Sequence, residues 1–320
     1  MIKLTNTKNI DFIIAHWLMS NTYSGGGVGK KISATSLLRS TQQQYLNFKV
    51  TNNLEDSTLD ISDFLKSKIG TALHEAIQKS WEDPKLRAQG LQALGLDINR
   101  YLVNDETDTD ILKTKLIFEK RVEKEFKGWT ITGQFDLVVN GNVHDFKSTS
   151  VYTYMNKTKE KDYILQGSIY RWLNPELIKG DRITIHYIFT DWNSTKAEVT
   201  PNYPEHPFVY ISLPLMSLEE TEAYMSKKLE ALDKTITDNK APACTKDELL
   251  ANNVYQYFAN PTSTRATKNF DTLEEANAFV AEKGKGIVKV KPGEPKACFW
   301  CNCRECCPQY KEYKDGITKY

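Results

Sequence analysis

GWTITGQFDLVVNGNVHDFKSTS, residues Gly128 to Ser150, decides how this chain folds. Trp129, Ile131, Phe135, Leu137, Val139 and Val143 alternate with small or polar residues, the period of a strand with one buried face. Asn140-Gly141 interrupts the alternation with a dipeptide suited to the two positive φ angles of a tight hairpin turn. A two-residue turn there fixes the register: Val139 opposite Asn142, Val138 opposite Val143, Leu137 opposite His144 and Asp136 opposite Asp145.

Two carboxylates then face each other across the ladder. Like charges directly opposite destabilise a sheet, and a divalent cation is the simplest compensation, because hard ions such as magnesium take carboxylate oxygens. Strand alternation puts Asp145 and Lys147 on one face and His144, Phe146 and Ser148 on the other. Two carboxylates and an ammonium in one small area suit metal-assisted phosphodiester hydrolysis. The cation polarises the phosphoryl oxygen and lowers the pKa of a bound water; the lysine orients that water and stabilises developing charge.

Outward from the hairpin, Asp60 to Trp81 carries apolar residues at helical spacing with His74 inside it, and Leu112 to Phe126 partly alternates. Tyr163 to Leu173 reads as a helix ended by Asn174-Pro175, followed by a strand over Arg182 to Thr190. Ser217-x-x-Glu220 is a capping box opening a helix to about Thr237, and Asp271-x-x-Glu274 caps a shorter helix that stops at Gly284. The glycine-rich stretch Ser24 to Lys31 lacks both the first Gly of a phosphate-binding loop and the Ser or Thr after its lysine, and reads as a connector. This order predicts an α/β protein: an N-terminal segment over 1–58 packing on the core, a core over 59–240 and a C-terminal region over 241–320.

Around the hairpin, GTALHEAI places Gly70 four residues before His74, Gly133-x-x-Asp136 precedes Asp145-x-Lys147, and Gln166-x-x-x-Tyr170 follows. This ordered set, from Gly70 to Tyr170, resembles the RecB-like branch of the PD-(D/E)XK nuclease superfamily. The resemblance implies a restriction-endonuclease-like core, with a central mixed β-sheet flanked by helices. It implies that His74, Asp136 and Asp145 ligate Mg2+ or Mn2+ with the Phe146 carbonyl, that Lys147 is the catalytic lysine, and that Gln166 and Tyr170 contact the nucleic-acid backbone or brace the site. The family's upstream Glu is Glu119, Glu123 or Glu125, and the distance to Asp136 favours Glu119 as a catalytic residue. The implied activity is that of a metal-dependent DNA exonuclease of phage or bacterial recombination, repair or replication. With no helicase motif in the sequence, the nuclease would act alone or with a separate motor, and a recombination, helicase or single-strand-binding protein is the implied partner. The competing expectation is a catalytically silent DNA-binding or assembly protein carrying a zinc module.

Composition narrows the electrostatics. With 42 Lys plus Arg against 41 Asp plus Glu, the net charge of +1 excludes a global basic field, so a polyanion must be held by local patches. Arg171, the cluster Lys157, Lys159 and Lys161, Arg265 with Lys268, and the lysines from Lys283 to Lys296 are the candidates, with Tyr152, Tyr154 and Phe299 available to stack on unpaired bases. The most apolar N-terminal run, Ile10 to Met19, is too short to span a bilayer, and the chain reads as cytoplasmic with no membrane partner. Five of its six cysteines, Cys298, Cys301, Cys303, Cys306 and Cys307, crowd into CFWCNCRECC. In a reducing compartment such clusters bind metal more often than they form disulfides. Cys298-x-x-Cys301 followed by Cys307 resembles the C-terminal triplet of iron-sulfur nucleases, which implies a metal-binding appendage. Those families place a fourth cysteine upstream of the nuclease motifs, where this chain has none, so Cys303, Cys306 or Cys244 must complete the set, as an iron-sulfur cluster or as Zn2+.

Overall fold

In the computed structural model, which describes residues 2–20, 28–249 and 253–316, Asn140 and Gly141 have φ of 46° and 81°. Both are left-handed, as a hairpin turn of this kind requires. The strands it joins, Leu137–Val139 and Asn142–Thr149, pair antiparallel with Leu137 opposite His144, Val138 opposite Val143 and Val139 opposite Asn142, the register read from the sequence. Residues 24–27 of the glycine-rich stretch lie outside the described residues.

From the second hairpin strand the chain passes through the helices Val151–Met155 and Glu160–Leu173 and returns as the strand Arg182–Phe189. That strand lies parallel to Asn142–Thr149, with Ile185 opposite Asp145. This βαβ crossover buries one face of the sheet under a helix. Phe208–Pro214 adds antiparallel at one edge, and Thr114–Phe118 with Tyr101–Val103 extends the other, giving a mixed six-stranded sheet. Leu116, Phe118 and Leu137 form a buried cluster on it, packed by Trp81, Tyr101, Val103, Val139 and Phe146. Trp81 belongs to the helix Leu65–Glu82, which also carries His74.

Two expectations change in detail. The alternating run from Trp129 to Val139 is not one strand: Trp129–Gln134 pairs with Arg121–Phe126 and Lys31–Ser33 in a separate three-stranded sheet. The chain changes sheets at Phe135 and Asp136, where the Asp136 carboxylate accepts the Phe146 backbone N–H. The helix expected to be capped by Asp271 is capped by Thr272, whose side chain accepts from the Glu275 backbone N–H. The Ser217 to Glu220 capping box forms as read, in both directions.

The chain divides into two compact units. One comprises Leu4–Arg39 and Asp60–Lys234, including both sheets above. The other comprises Met1–Lys3, Ser40–Leu59 and Thr235–Tyr320. It holds the helix Thr41–Thr51, all six cysteines and a three-stranded antiparallel sheet of Val254–Phe258, Lys268–Phe270 and Ile287–Lys291 packed by the helix Leu273–Lys283. Among the described residues, no helix is long and apolar enough to cross a membrane.

Candidate active site

The hairpin strand Asn142–Thr149 sets the site, because its backbone and alternate side chains are used at once. His74 reaches across from its helix to place Nε2 2.8 Å from the Phe146 carbonyl oxygen and Nδ1 3.4 Å from Asp136 Oδ1. The other Asp136 oxygen takes the Phe146 N–H at 2.8 Å. Glu119 joins them from the end of Thr114–Phe118, and ligand atoms of His74, Glu119 and Asp136 all lie within 4.8 Å of one another. Glu119 has φ of 47°, a conformation uncommon for a residue with a side chain and frequent at functional sites. Its carboxylate accepts from Gln134 Nε2 at 2.5 Å.

Asp145 and Lys147 point the same way along the strand, as alternation requires. Lys147 Nζ stands 2.5 Å from Asp145 Oδ2 as an ion pair, and the Lys147 ammonium lies 5.4 Å from the centre of the Tyr163 ring. Asp145 is 1% exposed. Apart from that ion pair, neither of its oxygens has a partner of hydrogen-bond geometry. Buried carboxylate oxygens are costly when left without donors, and here the Lys147 ion pair offsets that cost.

The electrostatics follow from burial and crowding. Burial, reinforced by the Asp136 charge, pushes the Glu119 carboxyl up to about 7. Burial also raises Asp145, with the Asp136 charge adding to it and Lys147 opposing. Asp136 is lowered: burial works against its ionised form, and the His74 contact and Lys147 outweigh it. Burial likewise disfavours the charged forms of His74 and Lys147, but neighbouring carboxylates outweigh it and raise both. Oxygen donors with one imidazole suit a hard divalent ion of the magnesium or manganese kind.

The structure thus brings His74, Glu119, Asp136 and the Phe146 carbonyl together, with Asp145 and Lys147 as an adjoining ion pair. Gln166 and Tyr170 are 8% and 4% exposed, and Gln166 Nε2 donates to the Tyr170 hydroxyl at 2.7 Å. The two side chains thus bond each other across one turn of the helix. Arg171, expected to contact nucleic acid, instead turns inward and donates to the carbonyl oxygens of Gly180 and Met216, because the end of its helix lies beside those unpaired carbonyls. Tyr163 went unnoticed in the sequence, although it precedes Gln166 by three residues and Tyr170 by seven, the spacing of one helix face.

Residues 36–308 match the sequence profile of the PD-(D/E)XK nuclease superfamily. The chain belongs to that superfamily. Among solved structures it is similar to a phage-related exonuclease from Haemophilus somnus 129PT, at 17% identity and a TM-score of 0.28, over 51% of this chain and 74% of that one. No curated protein matches. As a PD-(D/E)XK nuclease the chain has a mixed α/β core, with its acidic residues and lysine on the hairpin where the sequence motifs lie.

In the second unit, Cys298, Cys303, Cys306 and Cys307 are buried and Cys244 and Cys301 half-buried, all as free thiols. Burial pushes the Cys298 thiol up to about 12, with Cys301, Cys307 and Cys244 contributing as near neighbours. Cys301 and Cys306 both lie within hydrogen-bond reach of the Cys303 thiol, and Cys306 Sγ donates to the Cys303 carbonyl oxygen at 3.2 Å. Gln42 Nε2 donates to Cys307 Sγ and Ser40 Oγ contacts Cys244 Sγ, both at 3.1 Å. Cys244, which is 54 residues before Cys298 in sequence, therefore belongs to the same neighbourhood.

Proposed function

We propose that this protein is a metal-dependent deoxyribonuclease that digests DNA from its ends in phage or bacterial recombination, repair or replication. The observation that carries the reading is Asp145, fully buried and ion-paired to Lys147, next to the His74, Glu119 and Asp136 set. His74, Glu119, Asp136 and Asp145, with the Phe146 carbonyl, would hold Mg2+ or Mn2+. When bound, the cation polarises the scissile phosphate and acidifies water. Lys147 holds its ammonium where it can orient the attacking water and stabilise charge on the phosphate oxygens. His74 positions Asp136 and the Phe146 carbonyl on one side, while Gln166 and Tyr170 brace the helix that carries Tyr163 on the other. DNA is the substrate, and the cytoplasm of a bacterial cell is the place of action.

The cysteines support a second, structural centre. Cys244, Cys298, Cys301 and Cys307 influence one another electrostatically and supply four-thiolate donor chemistry, although among the described residues the set whose ligand atoms lie within 4.8 Å of one another is His74, Glu119 and Asp136. Either Zn2+ or an iron-sulfur cluster fits that donor chemistry. Metal analysis and the visible spectrum of the purified protein separate the two.

The deciding experiment is digestion of end-labelled linear DNA and closed circular DNA, single- and double-stranded, with magnesium or manganese. Linear DNA should be degraded and closed circles spared, and Asp145→Ala or Lys147→Ala should abolish digestion. Wild-type protein that binds DNA but digests neither form in either metal would overturn the reading and return the silent DNA-binding alternative.

A further inference from the structure

We propose that Tyr163 is a positioning residue, its ring aiming the ammonium of Lys147 at the reacting phosphate. The inference rests on the nuclease reading above and extends it to a residue outside the motif positions. Lys147 Nζ lies 5.4 Å from the Tyr163 ring centre, within the range in which an aromatic face attracts a cation. On its other side the ammonium meets Asp145 at 2.5 Å. The long lysine side chain is thus held between a carboxylate and a ring. Its side chain is 23% exposed, so the lysine lies at the edge of the site rather than wholly inside it.

Tyr163 is itself fixed. It is 7% exposed, and its ring makes an edge contact with Tyr187 at 6.2 Å. Tyr187 stands opposite Lys147 on the parallel neighbour strand and is 1% exposed. The helix Glu160–Leu173 carries Tyr163, Gln166 and Tyr170, all three buried, at spacings that share one stripe, so the Tyr163 ring is held in the packed face of the helix. A cation held against a desolvated ring loses freedom before substrate arrives, and pre-orientation of a group that acts in the transition state appears in kcat.

The test compares Tyr163→Phe, which keeps the ring, with Tyr163→Leu, which removes it at similar burial. Both are measured in digestion of a linear substrate with magnesium over a range of DNA concentrations. Thermal unfolding confirms that each variant folds. Tyr163→Leu should lower the rate constant about tenfold with little change in KM, and Tyr163→Phe should stay close to wild type. Equal losses in Phe and Leu, no loss in Leu, or a loss that appears in KM with the rate constant unchanged would overturn the proposal. Wild-type activity in Lys147→Ala itself would instead overturn the assignment of the lysine, so the two failures are distinguishable.

Discussion

Gly133 lies three residues before Asp136, on the strand that faces the Gln166 helix, and replacing it by alanine tests whether that spacing is a packing requirement. A Cβ at position 133 would stand 2.5 Å from Leu173 Cδ1 and 3.2 and 3.3 Å from two ring carbons of Tyr170. Leu173 and Tyr170 are 5% and 4% exposed, and the Tyr170 hydroxyl is held by Gln166. Neither can move aside cheaply. Forcing one carbon into a filled interior costs about 1–3 kcal/mol. A cost of about 2 kcal/mol lowers the melting temperature by about 4–8 °C in a unit of this size. Gly70→Ala is the control with opposite sign. Its Cβ would meet only Ser148 Oγ, at 3.5 Å, an ordinary contact, and alanine is favoured over glycine inside a helix by about 1 kcal/mol. Thermal unfolding of both variants, followed by circular dichroism, should move in opposite directions. Truncating the obstructing side chain supplies the second check: Gly133→Ala should cost less in Leu173→Ala than in wild type, because the contact partner is gone. A melting temperature for Gly133→Ala equal to or above wild type, or strict additivity with Leu173→Ala, would refute the reasoning.

Two further predictions concern protons. Because burial and the Asp136 charge hold the Glu119 carboxyl up to about 7, a cation binding there must displace a proton below that pH. Magnesium affinity measured by calorimetry should fall about tenfold from pH 8 to pH 6, with proton release on binding, and Glu119→Gln should flatten the profile. A pH-independent affinity in the wild type would sink this account. On the opposite sheet face, His144 Nδ1 and His186 Nε2 are 2.9 Å apart with stacked rings. Burial, with a contribution from His186, lowers the His144 value to about 4, and burial lowers His186 as well. Depressed folded values mean that this stability is full above the unfolded value of about 6.5 and lost as pH falls toward 4. The melting temperature should therefore drop across that window by an amount equivalent to about 1–2 kcal/mol after allowing for solvent screening. The drop should shrink in the His144→Gln/His186→Gln variant; identical pH profiles would count against it.

Much of the site was legible because it is local. The turn dipeptide fixed the hairpin register, and alternation then placed Asp145 and Lys147 together without any knowledge of the rest of the chain. What escaped was non-local. Period-two alternation states which face a residue takes but not which sheet it joins, so the switch at Phe135 and Asp136 left no trace in the pattern. Thr272 and Asp271 are both good caps, and only the observed backbone selects the former. Arg171 looks free on a helical wheel, yet its guanidinium is used on the Gly180 and Met216 carbonyls, neither of which has a sequence signature. Tyr163 could have been found by extending the Gln166 and Tyr170 stripe one turn toward the hairpin.

The site's charges are balanced locally, and this decides which variants can test it. Asp136 has His74 and the Phe146 N–H, Glu119 has Gln134, and Asp145 has Lys147. Asp145 is the most exposed to loss, because at 1% accessibility no solvent can replace its partner. Removing one member of a buried ion pair costs about 3–5 kcal/mol, since the other charge stays behind uncompensated. Lys147→Ala leaves a buried carboxylate next to Asp136, a repulsive arrangement. Asp145→Asn leaves an ammonium that still has Asp136 in its field and the Tyr163 ring against it. The lysine variant should therefore lose fold and activity together, whereas the asparagine variant should lose activity with the fold kept. Chemical conclusions about this hairpin accordingly rest more safely on Asp145→Asn than on Lys147→Ala.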